Sequence, residues 1–400
     1  MKVAIVLAAA GVSQLAVPAL AAEPAFKPII DARLRYEGVR QDGMPEEAAA
    51  LTARVRAGFD LALGGATRLL VEGEGTAAPI EDYNSSVNGR TRFPAVADPE
   101  NVEINRLQLQ NKSLQATVLT IGRQRINLDD QRFVGSVGWR DNEQTFDAVR
   151  IENNSVKNLK LDATYAWDNR TIFGIESPIQ SIDGDNIFLN AGYKTKLGTL
   201  SGFGYWIDQD HPTRLQFSSR TFGARFAGRT ALSPAAGFAY ALSYARQSEA
   251  FDNPLDYSAD YWLADASIDA KGFVVGAGYE VLGADDGRPF TSFQTPLATL
   301  HRFQGWTDKF LVTPPNGIRD AYGSVAYTLK KVGPFAGVTA TAAYHDYRAD
   351  RGGFDYGSEI NLQLQAKLKK LTLTAKYGDY DADGFATDTR KIWFAVDYSY

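Results

Sequence analysis

Arginine carries the chemistry this sequence can offer. Arg33 and Arg35 stand two positions apart, as do Arg54 and Arg56, and again Arg123 and Arg125; Arg68 and Arg106 fall between them. A spacing of two puts both side chains on one face of a strand. Guanidinium forks grip carboxylates through paired hydrogen bonds, and rings of Arg or Lys are one way a pore selects anions. The pattern predicts a ladder of cations on a wall, extended by Arg150 and Lys160. Arg132 and Arg140 lie in the intervening stretch 127–142, placed either to fold inward and constrict a channel or to tether an external loop. Asp31, Glu37, Asp60, Glu72, Glu74, Asp147 and Asp162 supply countercharge on or near the same face, so the arginines also read as mutually neutralised pairs that hold the wall together.

Other chemistry is thinly represented. The chain of 400 residues has no Cys and three His, which excludes thiolate metal centres, disulfides and a Cys nucleophile. Asp379, Asp381 and Asp383, followed by Gly384, match the opening of a calcium loop. The twelfth position, where a bidentate Glu is needed, is Arg390. No cofactor is expected beyond that partial match. There is no Gly-x-Ser-x-Gly elbow and no phosphate-cradling glycine loop. His345 and Asp346 are adjacent, and adjacent side chains on a strand point apart. An outer-membrane hydrolase, or a soluble periplasmic lyase or sugar-binding sandwich, stays as an alternative without a catalytic set. A net charge of −5 gives no reason to expect a nucleic-acid partner.

The elements that must position these arginines are strands. The sequence opens on Met1-Lys2, an apolar run and Ala19-Leu20-Ala21, the form of a secretory leader over 1–21 that leaves 22–400 as the working domain. Beyond it, helical periodicity is nearly absent and period-two alternation recurs. Leu159, Leu161, Ala163, Tyr165 and Trp167 alternate with Lys160, Asp162, Thr164, Ala166 and Asp168. Eighteen such segments are expected, at 29–41, 50–63, 66–77, 102–110, 113–126, 143–153, 158–170, 186–196, 199–208, 217–228, 237–248, 259–269, 272–282, 319–330, 335–348, 356–367, 370–380 and 389–400. Short turns alternate with longer loops, notably 78–101, 127–142 and 283–318; Pro289, Pro296, Pro314 and Pro315 argue that the last is irregular. Aromatic pairs near segment ends, among them Tyr165 and Trp167, Tyr205 and Trp206, Tyr257 and Tyr261, Tyr344 and Tyr347, and Tyr377 and Tyr380, suggest girdles at two lipid–water interfaces. The expected fold class is all-β, an 18-stranded antiparallel transmembrane β-barrel in the outer membrane of a Gram-negative cell, partnered by lipid and lipopolysaccharide. A mean hydropathy of −0.25 is too polar for a helical membrane protein but suits two alternating faces.

Two stretches sharpen this. Ile392, Phe394, Val396, Tyr398 and Tyr400 form an unbroken apolar face, like the terminal signal that outer-membrane barrels present to the barrel assembly machinery. The stretch Gly122-Arg123-Gln124, the Asp–Arg-rich loop with Val137-Gly138-Trp139-Arg140, and Gln144-Thr145-Phe146-Asp147-Ala148-Val149-Arg150 resemble the alginate export family of outer-membrane porins. The resemblance implies a monomeric barrel with a narrowed, electropositive pore that passes a polyuronate. The chain is short for that family, and its loops carry Asp183, Asp185, Asp208, Asp210, Asp285 and Asp286. The expected function is therefore a passive channel for anionic sugars such as uronates or alginate, with a general porin for small anionic or neutral nutrients as the alternative.

Overall fold

The computed structural model describes residues 25–400, so the expected leader at 1–21 lies outside the described residues. Eighteen strands follow in order: β1 (Phe26–Gln41), β2 (Ala48–Gly64), β3 (Thr67–Asp82), β4 (Asn101–Asn111), β5 (Thr117–Gln124), β6 (Thr145–Asn153), β7 (Leu159–Arg170), β8 (Ser181–Lys194), β9 (Thr199–Ile207), β10 (Ser219–Ser233), β11 (Ala236–Glu249), β12 (Ser258–Ala270), β13 (Phe273–Leu282), β14 (Ile318–Leu329), β15 (Gly337–Arg348), β16 (Asp355–Leu368), β17 (Leu371–Ala382) and β18 (Thr389–Ser399). Each pairs antiparallel with its sequence neighbours, and β1 also pairs with β18, from Asp31↔Ser399 to Gln41↔Thr389. The sheet is closed, so each strand has a partner on both sides and the backbone polar groups of the wall need no lipid-side partner.

Alternation decides what faces where. Leu34, Val55, Leu107, Ile121, Leu189, Leu242, Val275, Leu362 and Phe394 are exposed on the outside of the wall. Their neighbours Arg35, Arg54, Arg56, Glu72, Thr120, Asp162 and Glu359 are buried on the inside. The molecule is thus polar within and apolar without, the inverse of a soluble sandwich. The outward aromatics form two bands. Tyr165, Trp167, Tyr244, Trp262, Tyr279 and Tyr344 lie toward the long-loop end; Phe26, Tyr193, Phe273, Tyr327 and Tyr400 lie toward the short-turn end. Several aromatics expected in these bands are not there. Tyr205, Tyr257, Tyr261, Tyr347 and Tyr380 point inward and are almost completely buried. Strand ends hold as many inward as outward positions, and proximity to an end does not choose between them.

The inward tyrosines have partners because two loops occupy the lumen. The loop 125–144 leaves the wall at the end of β5 and crosses the barrel. At one end of its path Trp139 O accepts hydrogen bonds from Arg33 and Arg35 of β1, the Arg33 one at 2.7 Å. At the other, the Phe133 ring lies 5.2 Å from both Phe203 of β9 and Tyr261 of β12. The loop 283–317 enters from between β13 and β14 and packs alongside. Val134 and Leu297 form a parallel bridge, and Gly135 N donates to Leu297 O at 2.9 Å. The irregular course expected of 283–318 is borne out up to 317, with β14 beginning at the next residue, and its apolar residues Phe293, Leu297 and Phe310 are buried against the wall tyrosines.

Strand β5 is shorter than the expected 113–126. Residues 112–116 form the preceding turn, with Ala116 at φ 50°, and Gly122 adopts φ 108°, which an L side chain resists. The chain leaves the wall and turns inward just after Gln124.

Candidate lumen site

Five of the predicted arginines line one polar cavity. It has a volume of about 370 Å³ and lies beneath the 125–144 loop on the short-turn side. Arg33 of β1, Arg54 and Arg56 of β2, Arg106 of β4 and Arg125 of the loop line it, with Asp31, Glu72, Glu143 and Asp397. Strand register builds the cluster. Arg33 lies opposite Arg54, Asp31 opposite Arg56, and Arg56 opposite Glu74. A bulge at Glu72/Gly73 inserts an extra residue in β4, so that Asn105 and Arg106 both reach Glu72.

The guanidiniums are compensated. Arg33 binds Asp397 at 2.7 Å, and Arg54 is paired with Asp31. Arg56 bridges Glu74 and Glu143, the latter at 2.8 Å. Arg106 holds Glu72 with two nitrogens, at 2.8 and 2.5 Å. Arg125 is shared by Glu143 and Glu72. Both readings of the arginines are therefore combined: they line a cavity, and they hold wall and loop together.

The remaining predicted residues divide. Arg35 (1% exposed), Arg132 (1%) and Arg140 (6%) are buried and do not face open space. Arg35 binds Asp98 at 2.5 Å, and Arg140 spans Glu37, Asp98 and Asp308 at 3.2, 3.2 and 2.7 Å. Arg132 binds Glu280 at 2.7 Å and Thr295 at 3.0 Å, tying one inward loop to β13 and to the other loop. Arg68 pairs with Asp60, Arg150 with Asp162, and Lys160 with Glu152, all on the wall.

Arg123 is a correction. It does not share a face with Arg125. Its cross-strand partners are Leu107, which is exposed, and Asp147, which lies between the inward, fully buried Phe146 and Ala148. Arg123 therefore sits on the outer face, where it binds Asp147 bidentately at 2.8 Å and caps Ile104 O at 3.1 Å. Alternation holds through Gly122, so Arg123 shares the outer face with Ile121; the period ends at the inward turn after Gln124, which carries Arg125 into the lumen. The partial calcium match is not gathered into a site. Asp379 is taken by Arg390 at 3.1 Å and by the Tyr377 hydroxyl at 2.6 Å, and among the described residues no three acidic or His side chains gather to hold a metal.

Spacing gave no sign of the buried core of the constriction. Lys376 of β17 donates toward His301 Nε2 at 2.8 Å and lies 3.9 Å from the Trp139 ring and 4.0 Å from Trp306. His301 stacks on Trp139 at 4.4 Å and binds Asp308 through Nδ1 at 2.8 Å. Burial and the neighbouring Lys376 push the His301 pKa down to about 3, so its ring is neutral at physiological pH. Burial would raise Asp98, but Arg35 and Arg140 outweigh it and hold that carboxyl at about 2. Asp308 also binds Lys391 at 3.1 Å. Arg35, Arg140 and Lys391 are ion-paired with Glu37, Asp98, Asp141 and Asp308 in one buried network. The signal in the sequence was composition: Phe290, Phe293, Phe303, Trp306 and Phe310 are too apolar for a loop left in water.

A closed 18-stranded barrel with an apolar belt, two aromatic girdles and a polar, loop-narrowed lumen is an outer-membrane channel of the porin class. The chain belongs to the Alginate export family, whose profile matches residues 30–279. Solved structures with the same fold include OccK9 (OpdG) of Pseudomonas aeruginosa, at 16% identity over 94% of this chain and 98% of that one, with a TM-score of 0.74. OccAB3 of Acinetobacter baumannii is similar at 13% identity over 94% and 99%, with a TM-score of 0.70. OpdK of Pseudomonas aeruginosa, solved with vanillate, is similar at 13% over 93% and 98%, with a TM-score of 0.69. No curated protein sequence matches.

Proposed function

We propose that this porin is a passive channel for small carboxylate-bearing solutes, sugar acids among them, and that it performs no chemical step. The observation that carries the reading is the arginine-lined cavity beneath the inward loops. Guanidiniums held by carboxylates on one side still present N–H donors to a passing anion, and a site shared in this way binds loosely enough to release it. The narrowing by 125–144 and 283–317 favours monomeric acids over a polymer. Vanillate, with which OpdK was solved, is a small carboxylate of the same kind. The outward apolar face of β18, from Ile392 to Tyr400, supports recognition by the barrel assembly machinery, and the apolar run before Ala21 supports export by a cleaved leader.

Planar-bilayer reversal potentials in a KCl gradient test the charge preference, and liposome swelling tests the solutes. Anion preference with faster swelling in glucuronate than in glucose is expected. Cation preference, or equal swelling in both, would replace this reading with a general channel for hydrophilic nutrients, which the close pairing of each lining arginine favours.

A further inference from the structure

A second cavity opens on the opposite arc of the barrel, lined by β10–β16 and by the edges of both inward loops. Its volume is about 180 Å³, the scale of one small ring. Its chemistry differs from the arginine-lined cavity. Arg225 is spent on Asp130 at 3.0 Å, and Glu280 on Arg132 and the Tyr261 hydroxyl, each at 2.7 Å. Asp265 accepts the Tyr322 hydroxyl at 2.8 Å. Arg302 stands apart from these. Its guanidinium donates to the backbone O of Asp130 at 3.0 Å and makes no ion pair with a carboxylate among the described residues. Each arginine lining the first cavity has such a partner.

Around Arg302 the lining is aromatic and neutral-polar. Phe303 and Trp306 come from the 283–317 loop, and Lys376 Nζ lies 4.0 Å from the Trp306 ring. Gln363 and Gln365 project inward from β16, with Ser324 and Thr341 nearby. The Gln363 amide makes no hydrogen bond within the protein among the described residues; Gln365 reaches only Thr374, at 3.4 Å. An amide offers donors and acceptors together, as a sugar hydroxyl does, so the pair is matched to a polyhydroxylated solute rather than to a bare anion. Flat rings with a few convergent polar groups are the usual make-up of a small-molecule pocket.

We propose that this cavity is a binding subsite for a single sugar-acid ring: Arg302 takes the carboxylate, Phe303 and Trp306 take the ring face, and Gln363 and Gln365 take the hydroxyls. The inference rests on the reading of the channel as a carboxylate pore and names the part of the solute that the arginine-lined cavity does not discriminate. A solute passing the loops would meet a charge filter on one arc and a ring filter on the other.

The test is single-channel recording in planar bilayers, with glucuronate, acetate and benzoate as probes and the dwell time of current blockades as the readout. In the wild type, glucuronate should dwell longer than acetate. Gln363→Leu with Gln365→Leu should lower the glucuronate-to-acetate dwell ratio about tenfold. Arg302→Gln should shorten both dwells. Trp306→Ala should lower the ratio, and Trp306→Phe should restore most of it, which a loosened loop would not do. Heat-modifiable gel mobility confirms that each variant is folded; if the double variant fails this check, the single Gln363→Leu carries the test. An unchanged ratio in the glutamine variant overturns the subsite. So does a benzoate dwell that exceeds that of glucuronate and ignores the glutamines, which would make the cavity a site for aromatic acids. Failure of the underlying reading looks different: the wild type would show no anion preference and no glucuronate-driven swelling.

Discussion

Glu143 is the place where the balance of the arginine-lined cavity can be tipped. Its carboxylate pairs with Arg56 and Arg125 and accepts from Asn105 at 2.9 Å. The cavity is lined by five guanidiniums and four carboxylates, with Glu74 behind Arg56. Glu143→Gln keeps the volume and the acceptor for Asn105 while leaving one positive charge uncompensated. A unit charge about 6 Å from a passing ion in a water-like dielectric interacts by about 0.7 kcal/mol. That is about a threefold change in local concentration for each sign of ion. The anion-to-cation permeability ratio should therefore rise by about tenfold at low salt. At 0.1 M salt, where the Debye length is about 10 Å, the rise should fall to about three- or fourfold. Arg125→Gln should shift the ratio by a similar factor the other way, and the double variant should return close to wild type. The assay is the reversal potential across a KCl gradient, repeated at two salt concentrations. If both single variants leave the reversal potential unchanged while the barrels remain heat-modifiable, ions do not pass this cavity and the reasoning fails.

Three further outcomes are expected. Arg123→Gln should leave the reversal potential unchanged, because the residue faces outward, but should lower the temperature at which the barrel unfolds in SDS, since it holds Asp147 and caps Ile104 O; a change in selectivity would contradict its outward placement. Arg132→Ala leaves Glu280 buried without its cation, a loss of about 3–5 kcal/mol for a broken buried pair, and should give noisier, larger conductance and new trypsin cuts in 125–144 and 283–317; unchanged conductance would mean that Arg132 does not hold the loops. Lys309 of the 283–317 loop, whose Nζ donates to Gln41 Oε1 of β1 at 3.2 Å, has its pKa lowered to about 8 by burial and then by Lys391, so its charge is present below pH 8 and lost above it. Because its folded value is depressed, that charge costs stability at neutral pH, a cost relieved from pH 8 toward the ordinary lysine range. Anion preference should step down between pH 7 and 9, and Lys309→Met should remove the step.

The wall was legible because its rule is local. Period-two alternation found all the strands, and it put Arg33, Arg54, Arg56 and Arg106 on the correct face. The rule failed where it was carried past the end of a strand: Arg123 shares the outer face of β5 with Ile121, and Arg125 enters the lumen only because the chain leaves the wall after Gln124. It also failed for the lumen. Lys376 and His301 are 75 positions apart, and only the crossing of two irregular loops brings Trp139 and Trp306 to them, while Trp393 is the cross-strand partner of Lys376. Alternation puts Gln363 on the polar face of its strand, but neither its role nor that of Arg302 can be read from spacing, since both depend on which loop lies opposite which strand.

The pairing of β1 with β18 has a kinetic consequence. Arg33 and Asp397, 364 positions apart, meet only when the ring closes. Contacts between residues so distant in the chain form late, because the entropy of joining the ends must be met before the contacts reward it. Until then the growing sheet has two bare edges, each a template for another chain. Before closure there is also no lumen for loops 125–144 and 283–317 to fill, and Arg35 and Lys391 come from the two closing strands. The selectivity apparatus and the last seam of the wall should therefore mature in a single step, so that a half-assembled barrel is an open, aggregation-prone sheet and never a leaky pore.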